Sequence, residues 1–177
     1  MARFSYLEKS QFERYAPALF DILADNMSVI APTGRTREED FACWHAAVGE
    51  GMQAPARQIV LIFASDSHDL IGFFQYYINP ERFMMEEIQL RQEWKGKDNI
   101  FRDLYGFVLE HINSGVEFVE AYANKNNGKS VGILKHLGLS VVGENKSGRS
   151  YHFRGTMRDL LAWYRRDKTE EAERCGN

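Results

Sequence analysis

The chain has 177 residues, of which 44% are hydrophobic and 13% aromatic, and its formal net charge is -3. This length and composition predict a single domain over residues 1–177 with a substantial core. The acidic balance argues against a nucleic-acid partner, because binding to a phosphate backbone requires a basic face. The two cysteines, Cys43 and Cys175, lie far apart, so the sequence predicts neither a disulfide framework nor a metal site.

The N-terminus lacks the apolar core of a signal peptide. No later run approaches the roughly 18 apolar residues that a membrane span needs. The sequence therefore predicts a protein with no membrane partner that resides in the reducing cytoplasm.

Hydrophobic periodicity and turn chemistry predict alternating strands and helices around a mixed sheet. The first helix has Ser10 and Glu13 at the spacing of a capping box. In chain order, the predicted elements are a strand at residues 4–7, a helix beginning at Ser10, a helix at 36–48, strands at 58–64, 70–78 and 86–90, a helix at 100–112, a strand at 116–122, a helix at 128–137, strands at 139–142 and 150–153, and a terminal helix at 157–166 before a flexible tail at 167–177.

Residues 86–112 switch from a strand pattern to a helix pattern. Ile88 and Leu90 alternate with polar residues, as in a half-buried strand. Apolar residues then recur at the four-residue spacing of a helix face, at Ile100, Leu104, Val108 and Ile112. The unpaired N–H groups of a first helical turn point beyond the strand end, so this stretch predicts an anion site.

One local motif lies within this region, and a second follows it in the chain. Residues 90–97 read Leu-Arg-Gln-Glu-Trp-Lys-Gly-Lys, and residues 123–139 contain Asn127, Ser130 and Gly138 around a short helical pattern. Together with the element order, these motifs resemble the GNAT N-acetyltransferase family over roughly residues 4–153. The resemblance implies an α/β (α+β), single-domain GNAT-like fold, with a mixed, mostly antiparallel central sheet of about six or seven strands flanked by helices.

The resemblance implies acetyl-CoA as co-substrate, with its diphosphate against the turn and the following helix start. Asp98 and Ile100 stand where the family has a glycine and a small residue, and the Asp98 carboxylate would compete with the diphosphate for helix N–H groups. Asn127 is implied as a coenzyme-binding residue, and its alternative role is helix entry, that is, to begin the helix that follows it. The coenzyme-binding residues that the resemblance implies are Leu90, Lys95, Gly96, Lys97, Asp98, Asn99, Ile100, Asn127 and Ser130.

Acetylation of an amine requires a base, an oxyanion donor and protonation of the departing thiolate. The resemblance implies the backbone N–H of Leu90 as the oxyanion donor. Glu86 and Glu87 lie on opposite faces of their strand, so one of them is expected to meet the amine as the base. We favour Glu87, and a solvated strand surface is the alternative for both. Leu134 stands where many family members have a tyrosine that protonates the thiolate, which leaves Tyr122, Tyr105 or water for that step.

The family's acceptor groove corresponds to residues 27–40 and 143–150. Aromatic and acidic side chains near these segments would suit a small cationic amine or a lysine side chain, although core packing explains the aromatic residues equally well. These side chains are Trp44, Phe73, Phe74, Tyr76 and Tyr77, and Glu38, Glu39, Asp40, Glu86 and Glu87.

The sequence thus predicts an N-acetyltransferase that transfers an acetyl group from acetyl-CoA to a primary amine of a small molecule or protein by direct attack. The alternative is a non-catalytic acyl-CoA-binding or interaction module with the same fold. Transfer onto an aminoacyl-tRNA is disfavoured by the net negative charge. The acceptor, the acyl length and formation of a homodimer stay open.

Overall fold

The computed structural model describes residues 2–97, 99–112 and 115–165. These residues form a seven-stranded, mostly antiparallel open sheet and five helices, which confirms the predicted fold class. The elements are β1 (Ala2–Tyr6), α1 (Phe12–Met27), α2 (Arg37–Gly51), β2 (Arg57–Ala64), β3 (Leu70–Asn79), β4 (Arg82–Leu90), α3 (Ile100–Leu109), β5 (Phe118–Asn124), α4 (Gly128–His136), β6 (Ser140–Glu144), β7 (Ser150–Thr156) and α5, which covers residues 157–165.

The described chain falls into two compact units. Within the described residues, the first is built from residues 2–77, 85–97 and 99–100, and the second from residues 78–84, 101–112 and 115–165. None of the helices described here is long and apolar enough to cross a membrane.

In the first unit, α1 and α2 pack on one face of the sheet, where every second strand residue points. Strands β1, β2 and β3 pair antiparallel, with Phe4 opposite Ile62 and Leu61 opposite Phe73. The side chains on one face of β2 and β3 are buried against the two helices, because period-two alternation brings every second side chain to that face. This core contains Leu7, Phe12, Ala16, Leu19, Ile22, Val48, Met52, Ile59, Leu61, Phe63 and Phe73.

The predicted capping box of the first helix is wrong. Ser10 lies in a 3-10 turn at Lys9–Gln11, and the N-cap residue of α1, Gln11, makes no side-chain capping bond. Because the chain enters α1 through this turn, the Gln11 N–H is already paired with the Glu8 carbonyl oxygen at 2.9 Å. The capping box occurs in α2 instead, where Thr36 and Glu39 bond reciprocally.

The second unit contains β5, β7 and β6 as adjacent antiparallel strands. Phe153 at the centre of β7 lies opposite Ala121 on one side and Val141 on the other. Thr156 caps α5, because its Oγ1 accepts a hydrogen bond from the Asp159 backbone N–H at 3.1 Å. The predicted terminal helix is therefore present at residues 157–165, and the predicted tail at 167–177 lies outside the described residues.

The stretch at residues 86–112 has the predicted order of strand, turn and helix, with different bounds. β4 begins at Arg82, before the predicted start of the strand, and α3 ends at Leu109, before the predicted end at Ile112. A short 3-10 turn at Gln92–Trp94 follows the strand. The turn that the sequence predicted as an anion site thus lies between two well-formed elements.

Candidate functional site

Gly72 of β3 lies very close to the end of β4. A Cβ atom at this position would approach Leu90 Cδ2 to 2.6 Å and Leu90 Cα to 3.2 Å, and it would overlap the Gln89 carbonyl oxygen. The residue after the end of β4 is also bonded to β3, since the Arg91 backbone N–H donates to the Ile71 carbonyl oxygen at 2.8 Å. A glycine in an apolar strand often marks such a close backbone approach, and here it fixes the position of Leu90.

We therefore expect Gly72→Ala to destabilise the protein by about 2–3 kcal/mol, because the added methyl group must displace backbone atoms as well as a side chain. Urea unfolding followed by circular dichroism measures this change. Gly143→Ala on β6 is the matched control, since a Cβ atom there meets nothing within 4 Å. An equal loss of stability in both variants would contradict the close approach described for Gly72.

Glu86 is held by two neighbouring strands. Arg57 of β2 donates through Nη2 to Glu86 Oε1, and Gln75 of β3 donates through Nε2 to Oε2 at 2.9 Å. Only 20% of the Glu86 side chain and 23% of the Arg57 side chain are exposed. Both carboxylate oxygens are therefore engaged in a half-buried structural ion pair, which leaves this residue poorly suited to accept a proton from a substrate.

Glu87 has a different environment from its neighbour. Its side chain is half-buried, and Gln89 Nε2 donates to Oε1 at 2.6 Å. Burial raises the pKa of Glu87 to about 7, the Gln89 hydrogen bond opposes that rise, and the nearby Glu86 carboxylate adds to it. A carboxyl group that exchanges protons near neutral pH has the property that a general base needs.

Asn26 at the C-terminal end of α1 is buried and fully hydrogen-bonded. Its Nδ2 donates to Gln89 Oε1 at 2.7 Å and to the Leu90 carbonyl oxygen at 2.9 Å. Its Oδ1 accepts from Lys95 Nζ at 2.6 Å and from Gln92 Nε2 at 3.0 Å. A carboxamide offers two donor hydrogens and two lone pairs, so Asn26 joins the strand end to the turn with its full bonding capacity.

Asn26 is not among the sequence-predicted site residues, because only the apolar residues of the first helix carried that prediction. The available signal was its spacing, since Asn26 follows the buried Ile22 by four residues and therefore lies on the core face of α1. A polar residue on such a face requires buried partners, and here they come from β4 and the turn.

The turn between β4 and α3 adopts unusual backbone conformations at two positions. Gly96 has φ +79° and Asn99 has φ +43°, and a Cβ atom at Gly96 would meet nothing within 4 Å. The Lys97 ammonium lies over the Trp94 ring, 5.8 Å from its centroid. α3 begins at the buried Ile100, and Asp98 lies outside the described residues. The structure thus brings Glu87, Leu90, Lys95, Gly96 and the start of α3 together in the first unit.

Asn127 and Ser130 belong to the second unit, where Asn127 is the N-cap of α4. Its Oδ1 accepts from the Ser130 backbone N–H at 3.1 Å, and its carbonyl oxygen accepts from the Val131 N–H at 3.0 Å. These bonds are those of an ordinary N-cap. Helix entry, the alternative that the sequence left open, is therefore a role that Asn127 does have.

Leu134 in α4 is only 9% exposed and carries no proton that could reach a thiolate. Tyr105 is 1% exposed, and burial raises its pKa, so it is a poor proton donor at neutral pH. Tyr122 is 47% exposed, and its ring stacks on His152 with centroids 4.6 Å apart. In the part of the chain that the structure describes, no group of three or more histidine, cysteine or acidic side chains could hold a metal ion.

The burial of several aromatic residues shows that they belong to the core rather than to the predicted acceptor groove. Phe73, Phe74 and Tyr76 are at most 2% exposed, so core packing accounts for them. Trp44 of α2 is half-buried and packs on Phe20 of α1 with ring centroids 5.6 Å apart.

The acidic side chains around these helices lie at the surface. Arg37 at the start of α2 bridges the exposed Asp21 and Asp25 of α1, at 2.7 and 3.2 Å. Thr33 Oγ1 donates to Asp40 Oδ2 at 2.6 Å. Paired carboxylates therefore border the loop between α1 and α2.

No protein-family model and no curated protein matches the sequence, whereas many solved structures share its fold. An acetyltransferase from Thermus thermophilus is 14% identical, with 89% of this chain and 97% of that chain covered and a TM-score of 0.67. The PaiA N-acetyltransferase from Thermoplasma acidophilum, solved in complex with coenzyme A, is 14% identical, with 88% and 99% covered and a TM-score of 0.64.

A third similar structure is that of mutant forms of the spermidine/spermine N-acetyltransferase SpeG from Vibrio cholerae. It is 16% identical, with 91% of this chain and 96% of that chain covered and a TM-score of 0.58. Identities this low establish the fold alone. The chain therefore has the fold of the GNAT N-acetyltransferases, as its two sequence motifs predicted.

Proposed function

We propose that this protein is an N-acetyltransferase that transfers an acetyl group from acetyl-CoA to a primary amine by direct attack. The observation that carries the proposal is the pair of adjacent glutamates on β4. Glu86 is locked in an ion pair, whereas Glu87 has a pKa of about 7. Glu87 lies three residues before the strand end at Leu90, and the turn beyond it leads into α3. A base, a backbone donor and an anion-binding turn thus follow one another along one segment.

The proposed chemistry uses few side chains. The Glu87 carboxylate takes a proton from the substrate ammonium, and the neutral amine nitrogen attacks the thioester carbonyl carbon. The Leu90 backbone N–H stabilises the oxyanion that forms. Collapse of the tetrahedral intermediate breaks the C–S bond, the attacking nitrogen loses its second proton to solvent to give the neutral amide, and the thiolate takes a proton from solvent. Glu87 then returns its proton to solvent. An alkyl thiol with a pKa of about 8.5 leaves readily enough for this route without a tyrosine at Leu134.

For the coenzyme, we propose that its diphosphate binds the turn at residues 95–100. Three features of the turn support this placement. Gly96 has open space around its Cβ position, so a ligand can approach the backbone closely. The start of α3 supplies the positive end of a helix dipole. Lys95 and Lys97 add positive charge to the same turn.

For the acceptor, we propose a small cationic amine. The loop between α1 and α2 and the helix turns beside it carry five acidic residues, Asp21, Asp25, Glu38, Glu39 and Asp40, against Arg35 and Arg37. The two arginines pair with Asp21, Asp25 and Asp40, and the remaining net negative charge favours the approach of a polycation. The similarity to a spermidine/spermine N-acetyltransferase makes polyamines the first compounds to test.

Release of coenzyme A thiol, measured with a chromogenic disulfide, tests the proposed function. The panel should include spermidine, spermine, a lysine peptide, aromatic monoamines and, as a matched control, a permethylated polyamine, whose tertiary nitrogens cannot form a stable amide. We expect turnover with at least one primary amine and none with the permethylated compound. Calorimetric binding of acetyl-CoA without turnover on any amine would overturn catalysis.

That outcome would support the second candidate function, a non-catalytic acyl-CoA-binding module. The specific observation in its favour is the buried, apolar Leu134 at the position where many family members carry the tyrosine that protonates the thiolate. The two candidates differ in turnover and agree in predicting that acetyl-CoA binds.

A further inference from the structure

Two hydrogen bonds of Asn26 and one between Gln89 and Glu87 form a directed chain from Lys95 to Glu87. The Lys95 ammonium donates to the Asn26 carboxamide oxygen at 2.6 Å. The Asn26 amide donates to the Gln89 oxygen at 2.7 Å, and the Gln89 amide donates to the Glu87 carboxyl at 2.6 Å. All three bonds therefore run from donor to acceptor in the direction of Glu87, and the two amide groups connect a cation to a carboxylate. Hydrogen bonds arranged in this way polarise one another.

We propose that Asn26 is a positioning residue that couples the ammonium of Lys95 to the carboxyl group of Glu87, so that an anion bound at the turn controls the base. The catalytic meaning of this coupling rests on the proposed function, but the coupling itself exists in the protein without substrate. The chain stabilises the negative charge of Glu87 and makes it a weaker base. An anion that draws Lys95 away from Asn26 removes the positive end of the chain, and Glu87 then becomes a stronger base.

By thermodynamic reciprocity, protonation of Glu87 must in turn favour binding of that anion. A coenzyme diphosphate at the turn would therefore strengthen the base at the moment when a thioester is present. In the enzyme without coenzyme, the coupling to Lys95 would limit proton uptake by Glu87. Asn26 acts at a distance from the reacting atoms, through Gln89, and does not touch the amine.

Other charged groups also bear on Glu87. Glu86 lies next to it on β4 and opposes a second negative charge. Arg57 of β2 neutralises Glu86 from the neighbouring part of the sheet. Lys97 lies in the same turn as Lys95, but it is exposed and its ammonium packs over Trp94. Lys97 therefore provides a matched control, with an equal charge in the same turn and a different position relative to the chain of bonds.

The test measures the Glu87 pKa directly, by NMR titration of the protein labelled with ¹³C at the glutamate carboxyl carbon. Glu87→Gln assigns the resonance. We expect Lys95→Met to raise the pKa by about 0.5 unit, because the polarised chain loses its cation. Lys97→Met should shift it by about 0.2 unit or less, as expected for a screened surface charge. Equal shifts in the two variants would overturn the proposal.

A double-mutant cycle then isolates the part played by Asn26. In an Asn26→Leu background, Lys95→Met should no longer change the Glu87 pKa, because the chain is already broken. A through-space effect of the ammonium would persist in that background and would contradict the proposal. If Asn26→Leu does not fold, Gln89→Leu breaks the same chain one residue later and gives the same comparison.

The NMR measurement is independent of turnover. A protein that releases no thiol with any amine would refute the proposed function and leave the coupling testable, whereas an active enzyme with uncoupled Lys95 and Glu87 would refute the coupling alone. Titration with coenzyme A gives the last comparison. We expect saturation to raise the Glu87 pKa in the wild type and to leave it unchanged in Asn26→Leu or, where that variant does not fold, in Gln89→Leu.

Discussion

Replacing Glu87 with glutamine is expected to lower kcat for acetyl transfer by about 100-fold or more, which is the usual contribution of a positioned general base. The carboxylate must be unprotonated to accept the proton of the ammonium. Because burial raises the pKa of Glu87 to about 7 in the free protein and bound coenzyme is expected to raise it further, wild-type kcat should rise as the pH increases above about 7 and then level off. Glu87→Gln should lack this rise, since its amide does not titrate. The pH dependence of thiol release measures both effects.

Glu86→Gln is the matched control for this substitution. It makes the same change of charge at the adjacent residue, whose carboxylate accepts hydrogen bonds from Arg57 and Gln75. We expect it to keep the rise of kcat near neutral pH and to lose about 1 kcal/mol of unfolding free energy, because the Arg57 hydrogen bond to a charged partner becomes a neutral one. Loss of the rise in Glu86→Gln, with its retention in Glu87→Gln, would reverse the assignment of the base.

Replacing Gly96 with glutamate is expected to weaken acetyl-CoA binding by about 100-fold or more. Wild-type binding should be micromolar, about -8 kcal/mol by calorimetry. The substitution acts in two ways. Gly96 has φ +79°, which costs a residue with a Cβ atom about 1–2 kcal/mol. The new carboxylate also repels the diphosphate that we place at this turn. Steric overlap within the protein makes no contribution, because the Cβ position is open.

Two further variants separate these effects. Gly34→Glu has the same charge, a similar φ of +77° and the same open Cβ position, but it lies in the loop between α1 and α2. We expect it to bind acetyl-CoA as the wild type does. Gly96→Ala keeps the backbone strain and adds no charge, so its affinity should fall only several-fold. Equal affinity of the wild type and Gly96→Glu would place the coenzyme elsewhere.

Periodicity predicted the elements of the fold well because most of them carry a one-sided apolar pattern. The hairpin of β2 and β3 and the succession of β4, turn and α3 appear in the sequence as changes of period, and the structure contains them. The bounds were less predictable. β4 extends back to Arg82 because strand pairing continues beyond the residues whose alternation is visible.

Capping shows why equal local patterns can have different outcomes. Ser10 with Glu13 and Thr36 with Glu39 have the same spacing, but only the second pair forms a capping box. A 3-10 turn precedes α1 and pairs the Gln11 N–H with Glu8. The conformation by which a chain enters a helix depends on the tertiary position of the preceding strand, which the four-residue motif does not contain.

The candidate site required the structure for the same reason. The sequence placed two glutamates on opposite faces of β4 and favoured Glu87, but it did not reveal the bonds that hold Glu86, because these come from Arg57 and Gln75 on other strands. Asn26 is 63 residues from Gln89 and 69 from Lys95 along the chain, so their contacts follow from tertiary packing. The glycine at position 72 was visible in an apolar strand, and it could have signalled the close approach of β4.

A crystal structure of the protein with coenzyme A bound tests the central proposal most directly. We expect the diphosphate to lie on the turn at residues 95–100, with the sulfur near the Leu90 backbone N–H and on the same side of β4 as the Glu87 carboxyl group. Coenzyme A bound away from this turn, or a complex in which Glu86 rather than Glu87 faces the sulfur, would contradict the proposal.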